Sequence, residues 1–178
     1  MRNVLWMTAL MLMVAVPASA DRDLTGSYVE LVSPCEICAN TTFTFTFYVT
    51  NASPDAEWLT IIEVDFPPGF TVIEGTDHYE PVGTPGETWA YDFTLAGAAC
   101  AWVDADGGYG EMYGGESGYF TVNANTGDIS EGVTLLWFLL GDEWGSPPHL
   151  VGGEIQLPLG GPSATDETTW SKLKTLYR

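Results

Sequence analysis

The sequence predicts an all-β chain: an antiparallel β-sandwich of eight or nine strands, with a leader before it and a short helix after it. Three observations predict this. Apolar and polar residues alternate with a period of two over most of the chain, the repeat of a half-buried strand and not of a helix. Turn signals rich in Gly, Pro and Asp interrupt the alternation at roughly ten-residue intervals, the spacing of a sandwich. No stretch of useful length carries helical periodicity before residue 163, and no internal repeat of fixed period occurs.

The leader comes first. Arg2 gives a short positive region, Val4 to Val16 is almost wholly apolar, and Pro17 breaks the run. Ala18-Ser19-Ala20 then has the small-residue spacing of a cleavage site. These are the regions of a secretory signal peptide in their proper order, and the run is too short to cross a hydrocarbon layer of ~30 Å. The expected mature chain begins near Asp21, holds 158 residues and has no second apolar run long enough to span. Such a length suits one domain with a real core. The expected organisation is a signal peptide over 1–20, a sandwich over 21–159, a linker over 160–165 and a tail helix over 166–178.

The strands follow. Ser27 to Val32 is the opening strand. Thr41 to Asn51 places Phe43, Phe45, Phe47 and Val49 on one face and a row of Thr on the other. Glu57 to Phe66 places Trp58, Ile62, Val64 and Phe66 together, and Pro67-Pro68-Gly69 then forces a turn. Phe70 to Glu74 resumes as a strand; Thr88 to Leu95 aligns Trp89, Tyr91, Phe93 and Leu95; Ala98 to Val103 is a further short strand. After the glycine-rich loop from Gly107 to Gly118, the alternation turns Phe120, Val122 and Ala124 inward. Val133 to Leu140 is apolar on both faces, the pattern of a central strand covered on both sides, and Gly132 and Gly141 hold it to strand length. Val151 to Leu159 closes the series with Val151, Ile155, Leu157 and Leu159 on one face.

Charge narrows the function. Without its leader the chain has four Lys and Arg against 24 Asp and Glu, a net charge of −20. Such a surface repels nucleic acid and anionic lipid. It suits an extracellular protein that uses carboxylates for solubility or for divalent cations, and equally a protein adapted to high salt. Between Arg22 and Lys172 there is no Lys or Arg at all; then Lys172, Lys174 and Arg178 arrive together.

Those three sit in the tail. Gly160-Gly161-Pro162-Ser163 reads as a linker, Ser163 or Thr165 can cap a helix, and Asp166 and Glu167 fall in its first turn. Acid at the start and base at the end complement the helix dipole. Trp170, Leu173 and Tyr177 share one face, and Lys174 lies beside it. A helix of this length is marginal alone, so the face wants a partner: the acidic sandwich itself, or a cell-surface or export-machinery protein.

Four groups of residues could carry chemistry. Cys35-Glu36-Ile37-Cys38 lacks the helix that a thioredoxin-like site needs, and too few further ligands exist for zinc. In an exported chain the expectation is a disulfide, Cys38 to Cys100, closing a long loop for ~2–4 kcal/mol, with Cys35 to Cys38 its rival. Asp104, Asp106 and Glu111 lie on a glycine-bent loop that could offer oxygens to calcium, although the spacing is not that of an EF-hand and an acidic turn explains it equally. Tyr109, Tyr113 and Trp144, in or beside glycine-rich loops, could stack on the sugar rings of a polysaccharide if they share one face. Asn40-Thr41-Thr42 and Asn51-Ala52-Ser53 match the N-glycosylation pattern. No enzyme is expected. Only His78 and His149 could serve a nucleophile, no G-x-S-x-G elbow occurs, and no glycine-rich phosphate loop opens a helix.

The stretch NASPDAEWLTIIEVDFPPGFTV, residues 51–72, resembles a pattern in immunoglobulin-like β-sandwich modules of secreted bacterial proteins. There an N-x-S-P-D-x-E-W edge leads into a strand, followed by an F-P-x-G-x-T-V turn and strand. GDEWGSPPHLVGGEI has the look of the last hairpin of such modules, which extends the likeness over Thr41 to Leu159. The resemblance implies an immunoglobulin-like fold and an extracellular or cell-surface location, and no particular chemistry. The ending TTWSKLKTLYR is similar to short endings of some secreted bacterial proteins, whereas LPLGG lacks the apolar helix that follows a sortase signal.

Overall fold

The computed structural model describes residues 23–54, 56–82, 89–92, 99–105, 107–143 and 147–160, with the backbone alone for 74–82 and 90–92. The signal peptide over 1–20 and the tail helix over 166–178 lie outside the described residues. None of the described residues forms a helix long and apolar enough to cross a membrane.

Nine strands are present among the described residues: β1 (Tyr28–Ser33), β2 (Thr42–Thr50), β3 (Leu59–Asp65), β4 (Thr71–Val82), β5 (Trp89–Asp92), β6 (Ala99–Asp104), β7 (Ser117–Asn125), β8 (Val133–Gly141) and β9 (Leu150–Leu157). They form two antiparallel sheets, one ordered β1-β2-β7-β4 and the other β5-β6-β3-β8-β9. This is the sandwich that the alternation predicts.

The core follows from the inward half of that alternation. Phe45, Phe47 and Val49 of β2 and Phe120, Val122 and Ala124 of β7 are fully buried against Ile62, Val64, Trp102, Leu135 and Leu139 of the facing sheet. Trp102 meets Phe47 and Phe120 edge-on, at ring separations of 6.5 and 5.1 Å. Edge-to-face packing suits the aromatic quadrupole and fills the space between sheets. Trp89 reaches Phe120 in the same way at 5.6 Å.

Three expectations are corrected. Trp58 does not share a face with Ile62 and Val64, because a register shift between Leu59 and Ile61 gives the inward place to Leu59 and leaves Trp58 half-buried outside. β8 is not covered on both sides: Leu135, Trp137 and Leu139 face the core, but Leu136 is 39% exposed on the other face. The Cys38–Cys100 disulfide is absent, and so is a Cys35–Cys38 bridge; all three thiols are free. Cys100 is locked inside the core on β6, opposite Val64, while Cys38 lies between β1 and β2, against Gly160 and with its carbonyl on Thr126.

Burial pushes the Cys100 thiol well above its ordinary value, with the charges of Asp65 and Glu63 adding to the effect. Cys100 is therefore inert in the fold. A thiol-reactive chromogen should titrate Cys35 and Cys38 in the native protein and Cys100 only after denaturation. A native titre below two thiols would mean that a bridge forms.

Candidate functional site

The strand order brings the described residues of the loops 23–27, 51–58, 105–116 and 142–149 to one end of the sandwich. Backbone bonds join them: Leu24 N–H to Pro148 O, Leu59 N–H to Met112 O, Glu111 N–H to Leu59 O and Gly141 N–H to His149 O. Gly110, at φ +125°, lies so close to Leu59 that a Cβ would fall 2.5 Å from its carbonyl oxygen.

Asn51 organises this end. It is fully buried, and its Nδ2 donates to the carbonyls of Glu57 at 2.7 Å and Met112 at 2.9 Å. Its Oδ1 accepts from Ser53 N–H at 3.0 Å and from the Ser27 hydroxyl at 3.4 Å. Both amide hydrogens are consumed, so in the folded protein Asn51 is no glycosylation acceptor.

Beside it lies a pair that the sequence did not announce. Glu57 is fully buried, and its Oε1 lies 2.7 Å from His149 Nδ1. Its Oε2 has no hydrogen-bond partner. The carboxyl fills the space beside Gly141 that a Cβ would need. Burial raises the Glu57 pKa from its ordinary 4.5; His149 opposes the shift through hydrogen bond and charge, while Asp142 and Asp23 reinforce it. The separation of 92 positions between the partners, and the absence of a local motif, hid the pair from sequence reading.

The predicted residues distribute unevenly. Tyr109 is 63% and Tyr113 40% exposed at this same end, and Tyr113 packs edge-on against Trp58 at 4.8 Å. Trp144, their expected third partner, lies outside the described residues. Asp104 accepts from Gly107 N–H at 2.9 Å, closing its own turn, whereas Glu111 is buried. Asp106 lies outside the described residues, and no three His, Cys, Asp or Glu among those described could hold a metal ion. Trp170, Leu173, Lys174 and Tyr177 also lie outside.

A second surface emerges on the outer faces of the sheets. The β1-β2-β7-β4 sheet presents polar pairs: Thr44 bonds Asn123 at 2.6 Å, Thr50 bonds Ser117 at 3.0 Å and Asn125 bonds Thr42 at 3.2 Å. The opposite outer face is apolar. Leu150, Leu140, Ile61 and Val103 lie in register across it, and so do Glu154, Leu136 and Asp65. Between these rows, Phe138 lies over Gly152, with Glu63 beside it. Leu136 and Leu150 are 39% and 55% exposed. Burial raises the Glu63 pKa, and the charge and hydrogen bond of Asp65 raise it further.

No protein-family model matches this chain, and no curated protein does. Solved structures do. The cohesin module of a Clostridium perfringens family 33 glycoside hydrolase matches with a TM-score of 0.50 at 13% identity, over 75% of this chain and 96% of that module. A Nocardia farcinica protein with an immunoglobulin-like fold matches at 0.48 and 16% identity, over 76% of this chain and 98% of its own. AvmM, which catalyses macrocyclization in alchivemycin A biosynthesis, matches at 0.47 and 15% identity, over 83% of this chain and 96% of its own. Bacterial pilins and cohesins in complex with dockerins also match. The fold is an immunoglobulin-like β-sandwich, shared with the Clostridium perfringens cohesin module. A shared fold does not fix a function, so function has to be argued from surfaces.

Two outcomes follow at the loop end. Asn51→Ala should cost about 2–3 kcal/mol, since a buried carbonyl loses its donor at ~1–3 kcal/mol and the loop connections loosen. Urea unfolding should show this as a lower midpoint with an unchanged slope. Because the folded pKa of Glu57 is raised, its contribution is complete below about pH 4.5 and is lost as pH climbs through the folded value. Glu57→Gln keeps an acceptor for His149 and removes the titration. Its stability relative to the parent should therefore rise with pH across that window, measured by thermal melting.

Proposed function

We propose that the chain is an exported, non-catalytic β-sandwich that binds protein through the outer face of its β5-β6-β3-β8-β9 sheet. The observation that carries this reading is the contrast between the two outer faces. One carries bonded Thr, Asn and Ser pairs in its middle, with exposed Tyr28, Val32, Ile73 and Tyr119 on strands β1, β4 and β7. The other exposes Leu136 and Leu150 beside half-buried Ile61, Val103, Phe138 and Leu140. A contiguous apolar patch rimmed by acids on an otherwise hydrophilic chain is the mark of an interaction surface.

Other features support the same reading. Residues 1–20 read as the three regions of a secretory leader, which supports a working place outside the cell or at its surface. Cohesins, captured with dockerins, use this fold to hold another protein. The tail over 166–178 serves docking or surface retention in this scheme, through Trp170, Leu173, Lys174 and Tyr177. A saccharide platform at the loop end is the second reading, favoured by the joint exposure of Tyr109 and Tyr113 beside Trp58.

The test is retention at the surface of the native host. A Leu136→Asp/Leu150→Asp variant that melts like the parent should be released into the medium, while Tyr109→Ala/Tyr113→Ala stays with the cells. Release of the tyrosine variant alone would favour the saccharide reading and overturn the sheet-face reading.

A further inference from the structure

We infer that the chain's own tail, residues 166–178, is the segment that covers the outer face of the β5-β6-β3-β8-β9 sheet in the free protein. The inference rests on the reading of that face as a docking surface, and it names the occupant.

Charge gives the first argument. Glu63 and Asp65 stand on one face of β3, both half-buried, with Glu154 across β8 in line with Asp65. Two neighbouring carboxylates in a partly desolvated place call for a cation. The sandwich cannot supply one, since no Lys or Arg occurs from residue 23 to residue 171. Of the four cations in the mature chain, Lys172, Lys174 and Arg178 are all in the tail.

Shape gives the second. Trp170, Leu173 and Tyr177 fall on one side of a helix and span about 10 Å at 1.5 Å per residue. The rows from Leu136 to Leu140 on β8 cover about 13 Å at ~3.3 Å per residue, so an apolar helix stripe and an apolar sheet stripe have like lengths. Gly152, which has no side chain, lets the Phe138 ring lie over it, so the apolar surface runs on from β8 to β9.

Connection gives the third. β9 is the edge strand of this same sheet. The chain stays pinned through Leu159, which bridges Ile37, and Gly160, whose N–H donates to Ile37 O at 2.7 Å. Only residues 161–165 then separate the sheet edge from the tail. So short a tether holds the tail at a high effective concentration over its own sheet and favours that sheet over a second copy's. An external partner of the face then competes with the tail.

The chain has two lysines, Lys172 and Lys174, so a zero-length carbodiimide coupling of amine to carboxylate reports on the tail. The mature full-length protein, from Asp21, is coupled at low concentration, and monomer and dimer bands are mapped by mass spectrometry. Carbene footprinting of Leu136, Phe138 and Leu150 is run in parallel. Peptides joining Lys172 or Lys174 to Glu63, Asp65 or Glu154 in the monomer band are the expected result. Trp170→Ala/Leu173→Ala/Tyr177→Ala should abolish them and remove the protection of the three face residues. Links in the dimer band alone would overturn the inference in favour of a second copy. Links to loop-end acids with the face still protected would overturn the inference and leave the docking reading standing. A freely labelled face without links to its acids would overturn both.

Discussion

A single buried amide holds the loop-built end of this sandwich together. The alternation along β2 puts Val49 inward and Thr50 outward, so the next inward place falls to Asn51. A polar side chain there is costly unless its hydrogen bonds are made inside the protein. They are made with the carbonyls of Glu57 and Met112, the Ser53 amide and the Ser27 hydroxyl. The chain has to wrap residues 51–58 and 111–116 around one side chain to achieve this. That wrapping places Leu59 inward, sets Glu57 against His149 and turns Trp58 out towards Tyr113.

How far the fold was legible follows from this. Where inward and outward residues alternate without interruption, as along β2 and β7, the sequence predicts each buried face down to the residue. Where a bulge intervenes, as between Leu59 and Ile61, the period is kept on either side but its phase is lost, and Trp58 is assigned to the wrong face. β8 fails for another reason. An apolar outer face reads the same whether the fold covers it or leaves it free for a partner, and only the neighbouring strands tell the two apart. The cysteines fail because spacing along the chain carries no information on which strand face a thiol occupies; Cys100 lies within the core. The candidate site was half legible. The glycine-rich loop from Gly107 to Gly118 stands out in the sequence as a place for exposed tyrosines, but the Glu57–His149 pair exists only through tertiary contact.

Electrostatics shape the molecule as strongly as packing does. No Lys or Arg lies between Arg22 and Lys172, and several carboxylates of the sandwich accept from backbone amides. Asp23 accepts the Thr25 amide, Asp104 the Gly107 amide and Glu116 the Tyr113 amide. Backbone N–H groups in turns thus do what Lys and Arg side chains do elsewhere. Glu57 relies on burial with His149, and Glu63 on a hydrogen bond shared with Asp65.

The Glu63–Asp65 pair differs from the rest. Asp104 and Glu116 serve their own turns, and Glu57 has a ring nitrogen at hydrogen-bond distance. Glu63 and Asp65 lie together on a β3 face whose cross-strand neighbours on β8 are Leu136, Phe138 and Leu140. Two acids held together within an apolar setting raise the energy of the bare face, whereas a cation brought in on an apolar segment lowers it on both counts at once. The opposite sheet has no acid pair of this kind beside its bonded Thr, Asn and Ser side chains, although Val32 and Ile73 are exposed there. The two sheets share one core and one twist, yet their outer rows are built for different neighbours, water on one side and an apolar, basic segment on the other.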